Sequence, residues 1–373
     1  VFSGDEETGY KYAIGSKNTD LRDFVKKMNA DLRLVFVTGV TKFSHVSMFS
    51  GLNNLQDISL NPRYADMLGY TQEELEKFFG ERIAELAAQA GEPLEKYYAK
   101  IKNWYNGFCF YPGTPTVYNP VSVCNFLENG IFSNYWFTTG TPAFLFEVMK
   151  QTGFNLPKEL NTAISDELFN SFEINDIDPL VLFYQTGYVT IAGARRKKIE
   201  YTEETETEYL LKFPNREVEI SFNKSLLANY AGVPTKNTQL LIRELIKSVG
   251  SGDVELFIKK LKEVFAGIPY DIQIKNEHYY QTVIFVIFDL LRFYIQAEHQ
   301  TNDGRVDLTL TAGEWIFVIE LKMDKSAATA LEQIETKDYP LKFRDRGKRI
   351  MAVGISFSSE QRQIADWLDK EIQ

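Results

Sequence analysis

Apolar residues recur along the chain in two rhythms, spacing by three and four for helices and continuous or alternating runs for strands. Leu21, Phe24, Val25 and Met28 predict an amphipathic helix over 19–30. The continuous run Leu32–Thr38, closed by Gly39, has the pattern of a buried parallel strand. Thr71-Gln-Glu-Glu74 is a capping-box pattern opening a helix over Thr71–Ala88. From Trp104 to Pro142 the sequence is aromatic-rich and broken by Gly and Pro, so loops and short elements are expected. Residues 157–183 have a helical look. Gly187–Ile191 and Glu208–Phe213 are β-rich runs around a polar stretch, RRKKIEYTEETET, which a long hairpin tip would explain. A helix over Phe222–Tyr230 ends at the linker-like AGVPTKN, and a helix pair, Thr238–Val249 and Val254–Phe265, is split by GSGD. The last segment predicts a long helix (Glu277–Ala297), two strands (Val306–Thr311 and Trp315–Met323) and a helix (Ala327–Thr336). A strand (Arg349–Ser356) and a helix (Glu360–Lys370) complete it.

At 373 residues, and with about 150 per domain, two or three domains are expected. The 28 Phe and 20 Tyr exclude a disordered polymer. Apolar runs such as Val283–Phe288 are far short of the roughly 20 residues that span a bilayer, so no membrane is expected. Cys109 and Cys124 are the only cysteines, which excludes a disulfide framework and a cysteine-based zinc site. That usage suits a reducing, cytoplasmic location. The chain opens on Val1 and a turn-rich stretch, so a fragment lacking its amino-terminal part is expected. A net charge of −10 provides no general attraction to nucleic acid; such a role needs a local basic surface or a bridging metal.

Candidate chemistry gathers in GRVDLTLTAGEWIFVIELK, residues 304–322. With Thr311-Ala-Gly-Glu314 as a tight turn, Asp307 faces Val318, and Glu320 lies one pleat further along the same face. Cross-strand diagonals are about 7–8 Å, near enough for two carboxylates to share one ion. Alternation puts Val318, Glu320 and Lys322 on one face. A carboxylate inside FVIEL is costly unless compensated, and two together repel unless a cation lies between them. Hard oxygen donors suit Mg²⁺ or Mn²⁺. Lys322 could orient or activate an attacking water, or stabilise charge on phosphorus. The plainer alternative is a solvated strand face for Glu320 and Lys322 and a strand-end role for Asp307. Glu277 could equally be an acid favoured by the helix dipole. His278 and His299 read as surface or packing residues. Lys342, Arg344, Arg346, Lys348 and Arg349 form a basic cluster that would either contact phosphates or sit in solvent.

The order helix, hairpin with Asp and Glu-x-Lys, helix, strand resembles the PD-(D/E)XK nuclease superfamily and its αβββαβ core. The matching residues are Glu277 in NEHYYQ, Asp307 in GRVDL, Glu320 and Lys322 in IELK, and Gln333 in ALEQI, with Tyr339 following. It is similar in particular to the version at the carboxy terminus of bacterial AAA-ATPase-like proteins. The resemblance implies that Asp307 and Glu320 bind Mg²⁺, that Lys322 positions the water, and that Gln333 touches substrate or a ligating group. It spans about the last hundred residues.

Further words resemble the same AAA-ATPase-like family: residues 34–60, WYNGFCF, VYNPVSV, NYWFTTGTP and YQTGYVTI. By that resemblance Leu34–Gly39 is a core strand of a P-loop-type sheet, with Thr38 and Lys42 near a nucleotide-sensor position. The later hairpin and helices resemble a winged-helix-like lid. No G-x-x-x-x-G-K-[ST] is present, nor an apolar strand ending in paired acids before Asp31. ATP hydrolysis is therefore not expected from this chain, and ATP belongs only to a full-length family member. Trp104, Tyr105, Phe108, Phe110, Tyr135 and Trp136 are expected to fill a core, not to stack on bases.

The expected architecture is α/β and α+β multidomain. A P-loop ATPase-like remnant with its lid covers 1–235, a helical connector 236–269, and a restriction-endonuclease-like αβββαβ domain 270–373. The expected function is Mg²⁺- or Mn²⁺-dependent phosphodiester hydrolysis of DNA or RNA, with no membrane partner and oligomerisation left open. The alternative is a non-catalytic module of a regulatory ATPase that binds nucleic acid or protein. A two-carboxylate glycosidase leaves Lys322 unexplained.

Overall fold

The computed structural model describes residues 56–136, 143–152, 156–160, 162–169, 178–198, 204–268, 277–302, 305–336 and 347–372. Phe36, Thr38, Phe154, Thr202 and Phe343 are described as well. The chain divides into two compact units, Val1–Glu219 and Ile220–Gln373.

In the first unit, helix α1 (Gln72–Ala90) starts as its capping box predicts. The Glu74 N–H donates to Thr71 Oγ1 (3.2 Å) and the Thr71 N–H donates to Glu74 Oε2 (2.9 Å), satisfying two otherwise orphaned donors. Gly91, at φ 66, ends the helix in the left-handed region. Helices α2 (Leu94–Tyr105) and α3 (Pro120–Asn129) close a core with α1 around Leu75, Ile83, Ile101, Tyr105, Tyr118 and Phe126. Tyr105 is fully buried, and Trp104 and Tyr135 pack against the same cluster, so these aromatic residues fill a core. Trp136 meets Tyr188 edge-to-face at 5.0 Å.

Helix α4 (Ala143–Thr152) follows. The expected helix over 157–183 is broken into the single turns Leu156–Glu159 and Asp166–Phe169, strand β1 (Ile164–Ser165) and helix α5 (Pro179–Gln185). Strands β2 (Thr190–Lys198) and β3 (Thr205–Lys212) make a three-stranded antiparallel sheet in the order β1-β3-β2. Residues 195–198 and 205–207 of the polar stretch pair with β3 and β2 respectively as the far end of this antiparallel hairpin, in line with the long hairpin expected. The predicted helix over 19–30 lies outside the described residues. Of Leu32–Thr38 only Phe36 and Thr38 are described, and both are exposed and outside any strand.

Helix α6 (Arg216–Ala231) runs across the division between the units. In the second unit, α7 (Thr235–Ser251) and α8 (Val254–Ala266) meet at Gly252 (φ 74) and Asp253, which caps α8 by accepting from Leu256 N–H at 2.8 Å. Helix α9 (Glu277–Arg292) buries Val283, Ile284, Val286, Ile287, Phe288, Leu290 and Leu291. Strands β4 (Gln296–Asn302), β5 (Arg305–Ala312) and β6 (Trp315–Met323) come next. Helix α10 (Ala327–Thr336), β7 (Arg349–Ser358) and β8 (Gln363–Ile372) finish the chain.

The five strands lie in the order β4-β5-β6-β7-β8, antiparallel except for β6 and β7, which α10 joins as a parallel crossover. Every residue of β6 is buried, as are the inner residues of β7, because helices cover both faces. On one face Ile316, Val318, Ile350 and Ala352 pack with Ile334 of α10 and Phe343. On the other, Phe257 of α8 meets Phe317 at 5.9 Å and Phe265 meets Phe357 at 5.0 Å.

Two expectations are corrected here. Helix α9 stops at Arg292 where Ala297 was expected, and Gln296–Asn302 is a strand. The expected helix Glu360–Lys370 is strand β8. Ile364, Trp367 and Leu368 do have helical spacing, but β8 is an edge strand and Leu368 is exposed, so its sequence shows little alternation. Pairing along the otherwise open edge of β7 satisfies that strand's backbone groups and overrides the local pattern.

Candidate functional site

The site is built on the β5–β6 hairpin. Its turn sits one residue later than expected: Ala312 pairs with Trp315, and the two loop residues are Gly313 (φ 55) and Glu314. A two-residue loop opening on glycine matches the twist of the flanking strands. The shifted turn corrects the register, because Asp307 pairs directly with Glu320 and Val318 faces Thr309. Directly opposed positions share a sheet face with Cα atoms about 4.5–5.5 Å apart, closer than the expected diagonal. Position 307 also pairs with Gln300 of β4.

Glu320 and Lys322 are deep in the fold. Lys322 Nζ donates to Glu320 Oε1 at 2.5 Å, with the side chains 8% and 1% exposed. This excludes the solvated-face alternative. The pair lies on the face that α10 covers. Glu320 is the register partner of Gly354 in β7, and a Cβ at Gly354 would come within 2.5 Å of the Ala327 carbonyl and 2.7 Å of the Leu331 nitrogen. The absent side chain therefore lets α10 press onto the sheet beside the carboxylate. Gln333 stands on α10, half-buried, and its Nε2 is buried with no hydrogen-bond acceptor among the described residues.

Past Lys322 the chain turns at Asp324, a non-glycine residue at φ 52. Its N–H donates to the Phe357 carbonyl (2.9 Å), and its carboxylate accepts from Ser359 N–H (2.9 Å) and Ser359 Oγ (2.6 Å). These bonds hold the Asp324 carboxyl below the usual range and tie the end of β6 to the turn after β7. Nothing in the sequence around Asp324 marks this clasp, which joins residues far apart in the chain.

The remaining candidates are distributed as follows. Glu277 is the first residue of α9. Arg349 makes a bidentate ion pair with Glu371 (both 2.7 Å) and lies 4.0 Å over the Trp315 ring, while Lys348 Nζ donates to the Gly313 carbonyl. Lys342, Arg344, Arg346, Tyr339 and Lys42 lie outside the described residues. Thr38 is exposed. Among the described residues no group of three or more His, Cys, Asp or Glu forms a metal cluster. The opposed positions 307 and 320 nevertheless fit a hard cation by the chemistry of their carboxylates, with the rest of its shell left to water and substrate.

This hairpin, flanked by α9 and α10 and continued by β7, has the αβββαβ order, with β8 added at the end. Residues 275–367 match the PD-(D/E)XK nuclease superfamily, and the chain carries such a domain there. The chain is also 32% identical over 359 residues to an uncharacterized protein from the vnfD 5′ region of Azotobacter chroococcum mcd 1. That alignment takes in 94% of this chain and 65% of the relative, so the chain spans somewhat less than two thirds of that protein. No solved structure matches the chain. No helix among the described residues is long and apolar enough to cross a membrane.

Proposed function

We propose that residues 270–373 hydrolyse phosphodiester bonds in DNA or RNA with the help of Mg²⁺ or Mn²⁺. The supporting observation is the buried Glu320–Lys322 pair beside a carboxylate position directly opposite Glu320. A domain selected only for stability gains little from such a pair, since apolar residues of similar volume are commonly as good or better.

Asp307 and Glu320 would hold the cation. The bound ion would supply Lewis-acid polarisation of the scissile phosphate and lower the cost of forming hydroxide. Lys322, held at 2.5 Å by Glu320, is oriented by that contact to place the attacking water and face charge growing on phosphorus. Gln333 would donate its buried amide toward substrate or a ligating group, and Glu277 would assist from the start of α9. Residues 1–235 would belong to a cytoplasmic AAA-ATPase-like region with a winged-helix-like lid, binding ATP only in a longer family member. Residues 236–269 would connect the two.

The test incubates the chain with plasmid and single-stranded substrates and Mg²⁺ or Mn²⁺, alongside Asp307→Ala and Lys322→Ala. Metal-dependent cleavage lost in both variants is expected. Cleavage that survives both substitutions would sink the assignment. Metal binding without cleavage favours the second reading, a non-catalytic binding module.

A further inference from the structure

The αβββαβ order is complete at β7, and β8 is an addition of 10 residues, as long as β7 itself. Among the described residues β8 closes the sheet order, so its outer backbone groups face no further strand. Of its side chains only Ile364 is buried, and Leu368 is 42% exposed. A bulge at Ala365, which has no partner in β7, leaves 366–372 as the regular part. Ile372 packs against the cluster beneath α10, so alternation puts Asp366, Leu368 and Lys370 on that face as well. There Lys370 Nζ donates to Glu335 of α10 at 2.5 Å, with the lysine side chain 59% exposed.

An open edge pairs readily with another strand, and a two-fold axis perpendicular to the sheet joins two copies of β8 antiparallel. Such an axis keeps each residue on its own face, so the pairing must centre on a residue. Centring on Leu368 sets Asp366 of each copy against Lys370 of the other and brings the two exposed leucines together. Centring on Asp369 or Lys370 sets that charge against itself, and centring on Trp367 opposes no charged pair at all. The rival account is a blunted edge, since charges and bulges also discourage pairing. Blunting is served by a short strand and by charge of either sign. It explains neither the full length of β8 nor an exposed leucine flanked, two residues away on each side, by an acid and a base.

We propose that β8 is a self-association edge: two copies of this chain pair their β8 strands antiparallel about Leu368, joining two five-stranded sheets into one. Directly opposed residues of opposite charge stabilise such a pairing, and the two-fold axis makes each pair occur twice. The Lys370 ammonium has three donors, so it serves Glu335 and the facing Asp366 together. This association is independent of the nuclease reading, because β8 contributes none of Asp307, Glu320 and Lys322.

The test is sedimentation velocity of the whole chain. A single strand pair is a small interface, so a dimer that dissociates at roughly 1–100 µM is expected. Asp366→Lys and Lys370→Asp, both at exposed positions, each turn two attractive pairs into repulsive ones and should raise the dissociation constant about tenfold or more. An equimolar mixture of the two variants should dimerise again, because one chain then offers two lysines where the other offers two aspartates. Recovery on mixing cannot come from a change confined to one chain, so it separates pairing from an effect on folding. Leu368→Lys sets two ammonium groups together at the axis and should also leave a monomer. A native chain that stays monomeric up to about 100 µM overturns the proposal. So do single variants that dimerise like the native chain, or a mixture that associates no better than either variant alone.

Discussion

Replacing Lys322 by Met tests the physics of the site separately from its catalysis. Methionine nearly preserves the volume, so no cavity is expected. What changes is charge: the Glu320 side chain, 1% exposed, keeps its carboxylate and loses the ammonium 2.5 Å away. Breaking one side of a buried pair costs about 3–5 kcal/mol, since the remaining charge stays in a poorly solvating interior. Replacing both residues, with Glu320→Gln beside Lys322→Met, removes the stranded charge and should recover most of the stability. If the site holds a cation, Mg²⁺ at a hundred times its dissociation constant should return about 2.7 kcal/mol to the single variant. Urea denaturation at pH 8, with and without Mg²⁺, reads the loss, its recovery in the double variant and the effect of the cation. A loss below about 1 kcal/mol, with no recovery in the double variant, would show that the pair is not the charge-coupled unit its geometry describes.

Glu217, fully buried, accepts from the Trp136 N–H at 2.7 Å, and burial pushes its carboxyl up from 4.5 to about 7. A raised folded-state value means that its contribution is complete below about 4.5 and is lost as pH climbs through about 7. Glu217→Gln removes this loss, so its stability advantage over the native chain should grow across that window toward a ceiling of about 3 kcal/mol. An advantage that stays flat from pH 5 to pH 8 in thermal melts refutes the burial account. At Gly354, an alanine Cβ meets backbone atoms of α10 at 2.5 and 2.7 Å, so Gly354→Ala should cost about 1–3 kcal/mol by lifting the helix. A lower urea midpoint with unchanged slope is the expected signature.

Local chemistry made much of this protein legible in advance. The capping box at Thr71 and Glu74 was readable because both partners lie within one turn. Helix α10 was placed at its observed ends, Ala327–Thr336, and the β5 and β6 strands within a residue or so. Glu320 and Lys322 stood out because alternation along one strand is a local property, and an acid among FVIEL is conspicuous.

Tertiary structure decided the rest, for identifiable reasons. The hairpin register depended on whether the turn used Ala312-Gly313 or Gly313-Glu314, alternatives that differ by one step in sequence. Packing of β6 between β5 and β7 settled it and put Asp307 directly opposite Glu320. Strand β8 exists because β7 has an edge to be paired, a demand invisible within its own helix-spaced residues. The Asp324–Ser359 clasp and the pressure of α10 on Gly354 join residues with no sequence relationship. The sequence by itself determined which residues could do chemistry and which segments could be strands or helices, because those are properties of neighbours along the chain. Only the folded sheet decided which carboxylate stands across from which, because register is a long-range agreement among strands.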